Sequence, residues 1–113
     1  MELNEYQEKA AATAIYPHAG SGSLTALAYV TLGLGGETGE IQEKVKKIIR
    51  DSGGVIDDAA KVALMKEAGD VLWYLSRLAA EMDSSLDHIA RLNLDKLESR
   101  RARGVIGGSG DDR

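Results

Sequence analysis

The sequence predicts an all-α fold: a bundle of four helices, the second and third long, assembled as a homo-oligomer. Three observations predict it. Apolar residues recur at three-four spacing through long stretches, the pattern of a helix with one buried face. The single proline, Pro17, leaves the rest of the chain free of the strongest helix breaker. No segment alternates apolar and polar residues over the length of a strand, and Gly53-Gly54-Val55-Ile56 is too short to form one. At 113 residues the chain is read as one domain, residues 1–103, followed by a glycine-rich tail, residues 104–113.

The first helix is expected from Leu3 to Ile15, with Asn4 and Gln7 as a capping box and Leu3, Tyr6 and Ala10 on one apolar face. Pro17 ends it, and residues 18–23 read as a Gly/Ser loop holding His18. Ser23 caps a second helix from Leu24 to Asp51, whose apolar stripe is Leu27, Val30, Leu34, Ile41, Val45 and Ile48. Glycines at 33, 35, 36 and 39 are anomalous there, because each costs a helix interior about 0.8–1 kcal/mol relative to alanine. Close helix approach, or room for a ligand, are the physical reasons to keep them. After a turn at Ser52-Gly53-Gly54, Asp57 caps a third helix from Asp58 to Met82. Its stripe of Leu64, Ala68, Val71, Leu75, Leu78 and Met82, widened by Met65, Leu72 and Ala79, predicts that much of it is buried. A fourth helix begins after Ser84 and runs to Arg101, with Leu86, Ile89, Ala90 and Leu97 inward and His88 on the surface. Helices two and three would each reach about 40 Å at 1.5 Å per residue. A compact chain of this length has a radius of gyration of about 13 Å. The overhang and the wide apolar faces therefore predict a second copy covering them.

Composition narrows the function. The core contains no Phe, so Leu, Ile, Val, Ala and Met must fill it. Without cysteine there is no disulfide, thiolate nucleophile or cysteine-bound zinc, which fits a cytoplasmic protein. No apolar run approaches 18 residues and no basic-then-apolar leader precedes Leu3, so neither membrane span nor signal peptide is expected. A net charge of −4 argues against general nucleic-acid binding, which rests on phosphate neutralisation by Lys and Arg.

The chemistry gathers in two acidic pairs, Glu37/Glu40 and Glu67/Asp70. Residues three apart on a helix lie side by side, about 5–6 Å apart at Cβ, so each pair offers two carboxylates in one direction. If the long helices pack antiparallel, the pairs face each other as a four-carboxylate cage for a hard divalent cation. Glu67 and Asp70 also belong to a polar line, with Tyr74, Arg77 and Glu81, that runs through apolar surface. Carboxylates on a mostly buried helix are expensive without compensating charge, which a metal would supply. The bland alternative is a pair of solvated acidic patches. On helix four, Asn93, Lys96, Arg100 and Arg103 form a polar-to-basic stripe. That stripe suits the helix dipole, and it also suits a polyphosphate.

These residues carry a resemblance. E-x-x-E on one helix, residues 41–66 between, then E-x-x-D on the next is similar to the MazG-like nucleoside triphosphate pyrophosphohydrolases. Tyr6-Gln7, Thr13-Ala14, Lys46-Lys47, Arg50-Asp51, Asp70 to Tyr74, Asn93, Lys96-Leu97, Ser99-Arg100 and Arg103-Gly104 share it. The Gly108-Ser109-Gly110-Asp111 ending resembles short phage-type members. Gly35-Gly36 stands where relatives often have Ala or Glu.

The resemblance implies hydrolysis of a (deoxy)nucleoside triphosphate to the monophosphate and pyrophosphate, with two or more Mg²⁺ per site and Mn²⁺ as a substitute. The implied ligands are Glu37, Glu40, Glu67 and Asp70, with Glu40 also orienting the water. Lys44, Lys47, Lys96 and Arg100 are expected at the phosphates, and Gln7, Asn93 and Trp73 near base or sugar. Gln7 also reads as a surface residue, and Trp73 as core or interface. The tail, with Asp111 and Arg113, is expected to fold over the nucleotide. A tetramer (a dimer of dimers) is favoured over a dimer, in the cytoplasm of a host if the chain is phage-encoded. Two other classes compete. A di-iron carboxylate bundle needs Glu-x-x-His pairs, which are absent. A non-catalytic nucleotide- or metal-binding oligomerisation module is disfavoured by retention of all four acids.

Overall fold

The computed structural model describes residues 1–113, which form four helices and no strand. Helix α1 is Leu3–Ala11, α2 is Leu24–Asp51, α3 is Asp58–Glu81 and α4 is Leu86–Ala102. Three of the four starts have a side-chain cap. Ser23 accepts from the Ala26 N–H, Asp57 from Ala60, and Ser85, the neighbour of the expected Ser84, from His88. The expected capping box on α1 does not form. The helix starts after Glu2 without a side-chain cap and ends at Ala11, short of Ile15.

Asn4 and Gln7 are used elsewhere. Gln7 Nε2 donates to the Ser84 carbonyl at 3.0 Å, and its Oε1 accepts from the Leu86 N–H at 2.7 Å. Asn4 Oδ1 accepts from the Asp87 N–H at 3.2 Å. Two side chains of α1 thus satisfy the turn and the open N-terminus of α4, fastening the first helix to the last. The tie is long-range, so the local capping signal gave the right chemistry and the wrong partner.

The frame is an antiparallel α2–α3 hairpin, closed through Ser52–Asp57. Helix α1 packs on α3 and α4, α4 touches α3 and α1, and α4 makes no contact with α2. Only the end of α3 nearest α4 is well covered. Ser76, Arg77, Ala79 and Glu81 are buried there, whereas Met65 and Met82 of the expected buried stripe are exposed. On α4, Leu86 is buried but Leu97 is exposed. A small core of Tyr16, Ala26 and Val30 is completed by Ala14, Trp73, Tyr74 and Leu78. The radius of gyration, 17.0 Å, exceeds the roughly 13 Å of a compact chain this long. The four helices are therefore an open arrangement in the single chain, not a closed bundle.

The loop after α1 is held by one buried carboxylate. Glu81 accepts hydrogen bonds from Tyr16 Oη at 3.0 Å, the Gly20 N–H at 2.9 Å and the Gly22 N–H at 3.2 Å. Gly20 and Gly22 have φ of +79° and +68°, the left-handed backbone that turns both amides inward and that side chains resist. Burial pushes the Glu81 carboxyl up, but these hydrogen bonds and Arg77 together outweigh it and hold it below its ordinary value. Burial and the bond to Glu81 push the Tyr16 phenol up to about 12.

Candidate metal site

Midway along the hairpin, α2 and α3 bring Glu37, Glu67 and Asp70 together, with one carboxylate oxygen of each lying within 4.8 Å of the others. Register explains it. Glu37 lies one turn beyond Gly33 on α2, Asp70 one turn before Tyr74 on α3, and Gly33 packs directly against the Tyr74 ring. Four residues forward on one helix answer four residues back on the other, so Glu37 meets Asp70. Lys44, two turns beyond Glu37 on α2, pairs with Glu67, one turn before Asp70 on α3, at 3.2 Å.

The cluster is electrostatically uncomfortable. Burial, then the charges of Asp70, Glu67 and Glu40, push the Glu37 carboxyl above its ordinary value. Lys44 relieves the excess only in part. Three hard oxygen donors converging from two helices, with Asp70 exposed enough to leave water at the site, match what Mg²⁺ accepts. The residues fit a divalent cation.

The fourth acid stands apart. Glu40 is exposed and outside the cluster, near enough to Glu37 for its charge to be felt there. Of the expected phosphate ligands, Lys44 is at the cluster and Lys47 is one turn on, paired with Glu43 at 3.4 Å. Lys96 and Arg100 pair with the tail, both reaching Asp111 Oδ1 at 3.5 Å. No hydrogen bond or ion pair joins them to Glu37, Glu40, Glu67 or Asp70 of their own chain. Asn93 is exposed on the same helix.

The tail is a folded turn. Arg100 donates to the Gly110 and Asp111 carbonyls, Arg103 to the Arg113 carbonyl, and Arg113 to the carbonyls of Ile106, Gly107 and Gly110. Trp73 packs edge-on to Tyr74 and Tyr16, and its Nε1 donates to Thr13 Oγ1 at 2.8 Å. That places it in the aromatic core. Gln7 lines a cavity of about 310 Å³ with Asn4, Glu8, Arg77 and Ser85.

Sequence reasoning left two residues out of the site. Tyr74 packs its ring on Gly33, one turn from Glu37, and burial, then Tyr29, Glu37 and Asp70, push its phenol up. Burial likewise raises the Tyr6 phenol, with Arg77 lowering it and Asp70 raising it. Tyr74 carried a usable signal, being one helical turn from Asp70 on the polar line. Tyr6 carried none, because the crossing of α1 over α3 is long-range.

The chain is similar to the Gene 37 protein of Mycobacterium phage L5, 52% identical over 114 residues, with 100% of both chains covered. No solved structure matches it. No helix is long and apolar enough to cross a membrane. Residues 25–105 match the MazG nucleotide pyrophosphohydrolase domain, a span that takes in the hairpin, all four acids and α4. That family is metal-dependent and its membership implies nucleotide pyrophosphohydrolase activity, in keeping with a carboxylate cluster able to bind metal. The chain belongs to the MazG nucleotide pyrophosphohydrolase family.

Proposed function

We propose that the protein hydrolyses a nucleoside or deoxynucleoside triphosphate to the monophosphate and pyrophosphate at Glu37, Glu40, Glu67 and Asp70. The observation that carries the reading is the convergence of three carboxylates from two helices within 4.8 Å, in a chain of this family. Mg²⁺, two or more per site with Mn²⁺ as a substitute, is the cofactor such oxygens suit. When bound, it neutralises the triphosphate and makes a bound water more acidic. Glu37, Glu67 and Asp70 hold the cation. Glu40, on the solvent side, orients the attacking water and takes its proton on a carboxylate oxygen. The water oxygen joins phosphorus as the bridge between the α- and β-phosphates breaks, and pyrophosphate leaves. With no covalent nucleophile needed, positioning and charge neutralisation do most of the work.

Lys44 and Lys47 are assigned to the phosphates from α2, and Lys96 and Arg100 from α4. Asn93 and Trp73 are assigned to base or sugar. Gln7, whose amide is committed to the α4 turn, contributes by fixing α1 there. Because α4 and α2 do not touch within one chain, our reading assigns the α4 stripe and the tail, with Asp111 and Arg113, to the site of a neighbouring copy. The exposed Leu32, Ile49, Val62 and Met65 of the hairpin support a homo-oligomer, and we favour a dimer of dimers. The phage relative supports action in a host cytoplasm.

The test is incubation with Mg²⁺ and the canonical nucleotides, reading monophosphate and pyrophosphate together. Glu40→Gln is expected to retain less than a tenth of the wild-type rate, a loss of at least about 1.4 kcal/mol in barrier height. Absence of pyrophosphate from every wild-type reaction would leave only a binding module on this fold.

A further inference from the structure

We infer that Gly33 and Tyr74 form a spacer that sets the distance between the two halves of the acidic cluster, a positioning role that rests on the metal-site reading above. A Cβ added at Gly33 would fall 2.7 Å from Tyr74 Cδ1 and closer still to Cε1 and Cζ. By contrast, Gly35, Gly36, Gly39 and Gly69 have nothing within 4 Å of such a Cβ. Of the glycines around the cluster, only Gly33 is required by contact across the hairpin.

The ring cannot simply swing aside. Tyr74 packs edge-on to Trp73, with ring centroids 4.9 Å apart and planes at 85°, and it lies against the Tyr16–Ala26–Val30 core. Trp73 is itself tethered through Thr13. Ordinary contact between a Cβ and a ring carbon needs more than 3.4 Å, so the least disruptive response to a side chain at 33 is separation of the helices by about an ångström.

That displacement matters because of where it falls. Gly33 is one turn from Glu37 and Tyr74 one turn from Asp70, so opening the hairpin at the spacer separates those two carboxylates directly. Mg²⁺–oxygen distances of about 2.0–2.1 Å mean that two ligands on one ion lie no more than about 4.2 Å apart. The three oxygens lie within 4.8 Å of one another, a bound already slightly wider than that limit. An added ångström takes Glu37 out of reach of an ion held by Glu67 and Asp70.

The experiment is Mn²⁺ binding, read as loss of free Mn²⁺ signal by electron paramagnetic resonance, on full-length proteins with wild-type helical content by circular dichroism. Gly33→Ala is expected to weaken Mn²⁺ binding at least tenfold. Gly35→Ala, the same substitution into open space, should stay within threefold of wild type. Adding Tyr74→Leu to Gly33→Ala removes Cε1 and Cζ, and is expected to recover at least threefold of the lost affinity. Should Gly33→Ala not fold, Tyr74→Trp presses on the same contact from the other side and carries the same expectation. Wild-type affinity in the variant that tests the contact, or a double variant no tighter than Gly33→Ala, would overturn the spacer. Tight Mn²⁺ binding by a wild-type protein that releases no pyrophosphate overturns the hydrolytic reading and leaves the spacer standing. A wild type that binds no Mn²⁺ overturns the metal site and the spacer's role in it together.

Discussion

Glu81→Gln is expected to lower the melting temperature at pH 7 by about 12 °C. Glu81 is only 5% exposed, and its carboxylate accepts from two backbone amides and a phenol beside the equally buried Arg77. The amide keeps one acceptor oxygen, but its NH₂ then faces at least one donor, and Arg77 loses a nearby negative charge. A hydrogen bond to a charged group contributes about 1.5–3 kcal/mol, and Tyr16, Gly20 and Gly22 all donate to this carboxylate. A net loss of about 3 kcal/mol is a conservative total. Unfolding entropy of about 2.1 cal/mol/K per residue gives roughly 0.24 kcal/mol/K for this chain, hence the 12 °C. The pH dependence supplies an independent check. A carboxyl held below its ordinary value of 4.5 adds stability that is fully present above that pH and is lost as pH falls through the folded-state value. Wild type and variant should therefore converge in acid. The assay is thermal unfolding by circular dichroism at one fixed protein concentration, between pH 7 and pH 3. A drop under about 4 °C at pH 7, or a gap unchanged in acid, would refute the carboxylate as the anchor of residues 16–22.

Asp70→Asn relieves like-charge repulsion worth a few tenths of a kcal/mol, so in EDTA its melting temperature should rise by about 1–2 °C while Mg²⁺ no longer stabilises it and hydrolysis falls at least tenfold. Scanning calorimetry with and without Mg²⁺ separates these effects, and a lower melting temperature in EDTA would contradict the crowding at Glu37. Light scattering at micromolar concentration should give a multiple of 12.1 kDa, with a folded monomer counting against any shared site. Truncation after Ala102 is expected to raise KM or blur base preference while moving the melting temperature by less than about 2 °C. Identical kinetics across the nucleotide panel would return the tail to a merely capping role on α4.

What the sequence made legible follows the range of the interaction. The limits of α2, the start of α3 and the caps Ser23 and Asp57 are local, written in a few adjacent side chains, and they agree with the structure. The three converging acids were legible too, because a helical period and an antiparallel hairpin leave few ways to pair them. The misread parts are those decided across the chain. Asn4 and Gln7 have the residue types of a capping box, yet satisfy a turn some eighty residues away. Glu81 reads as one more acid on a helix face until the glycine loop turns its amides onto it.

Glu40 and Glu37, three residues apart on α2, differ sharply in their surroundings. Spacing alone treats them as equivalent, since each offers a carboxylate on one side of α2. Three residues rotate a helix by about 300°, however, so Glu40 points about 60° away from the direction of Glu37. Measured from Gly33, which faces α3, Glu37 is turned by about 40° and Glu40 by about 20°, so rotation about α2 does not by itself decide which of them joins the acids of α3. Glu40 is left exposed, within electrostatic reach of Glu37 but outside the three-carboxylate cluster. The chemistry assigned to the pair needs such a division. A ligand must be held against its neighbours at the cost of repulsion, whereas a group that orients water and accepts a proton works best where water reaches it. Gln at position 40 should therefore lower turnover far more than it lowers Mn²⁺ affinity, and Gln at position 37 should lower both. Parallel losses in the two variants would mean that all four acids act as one cage.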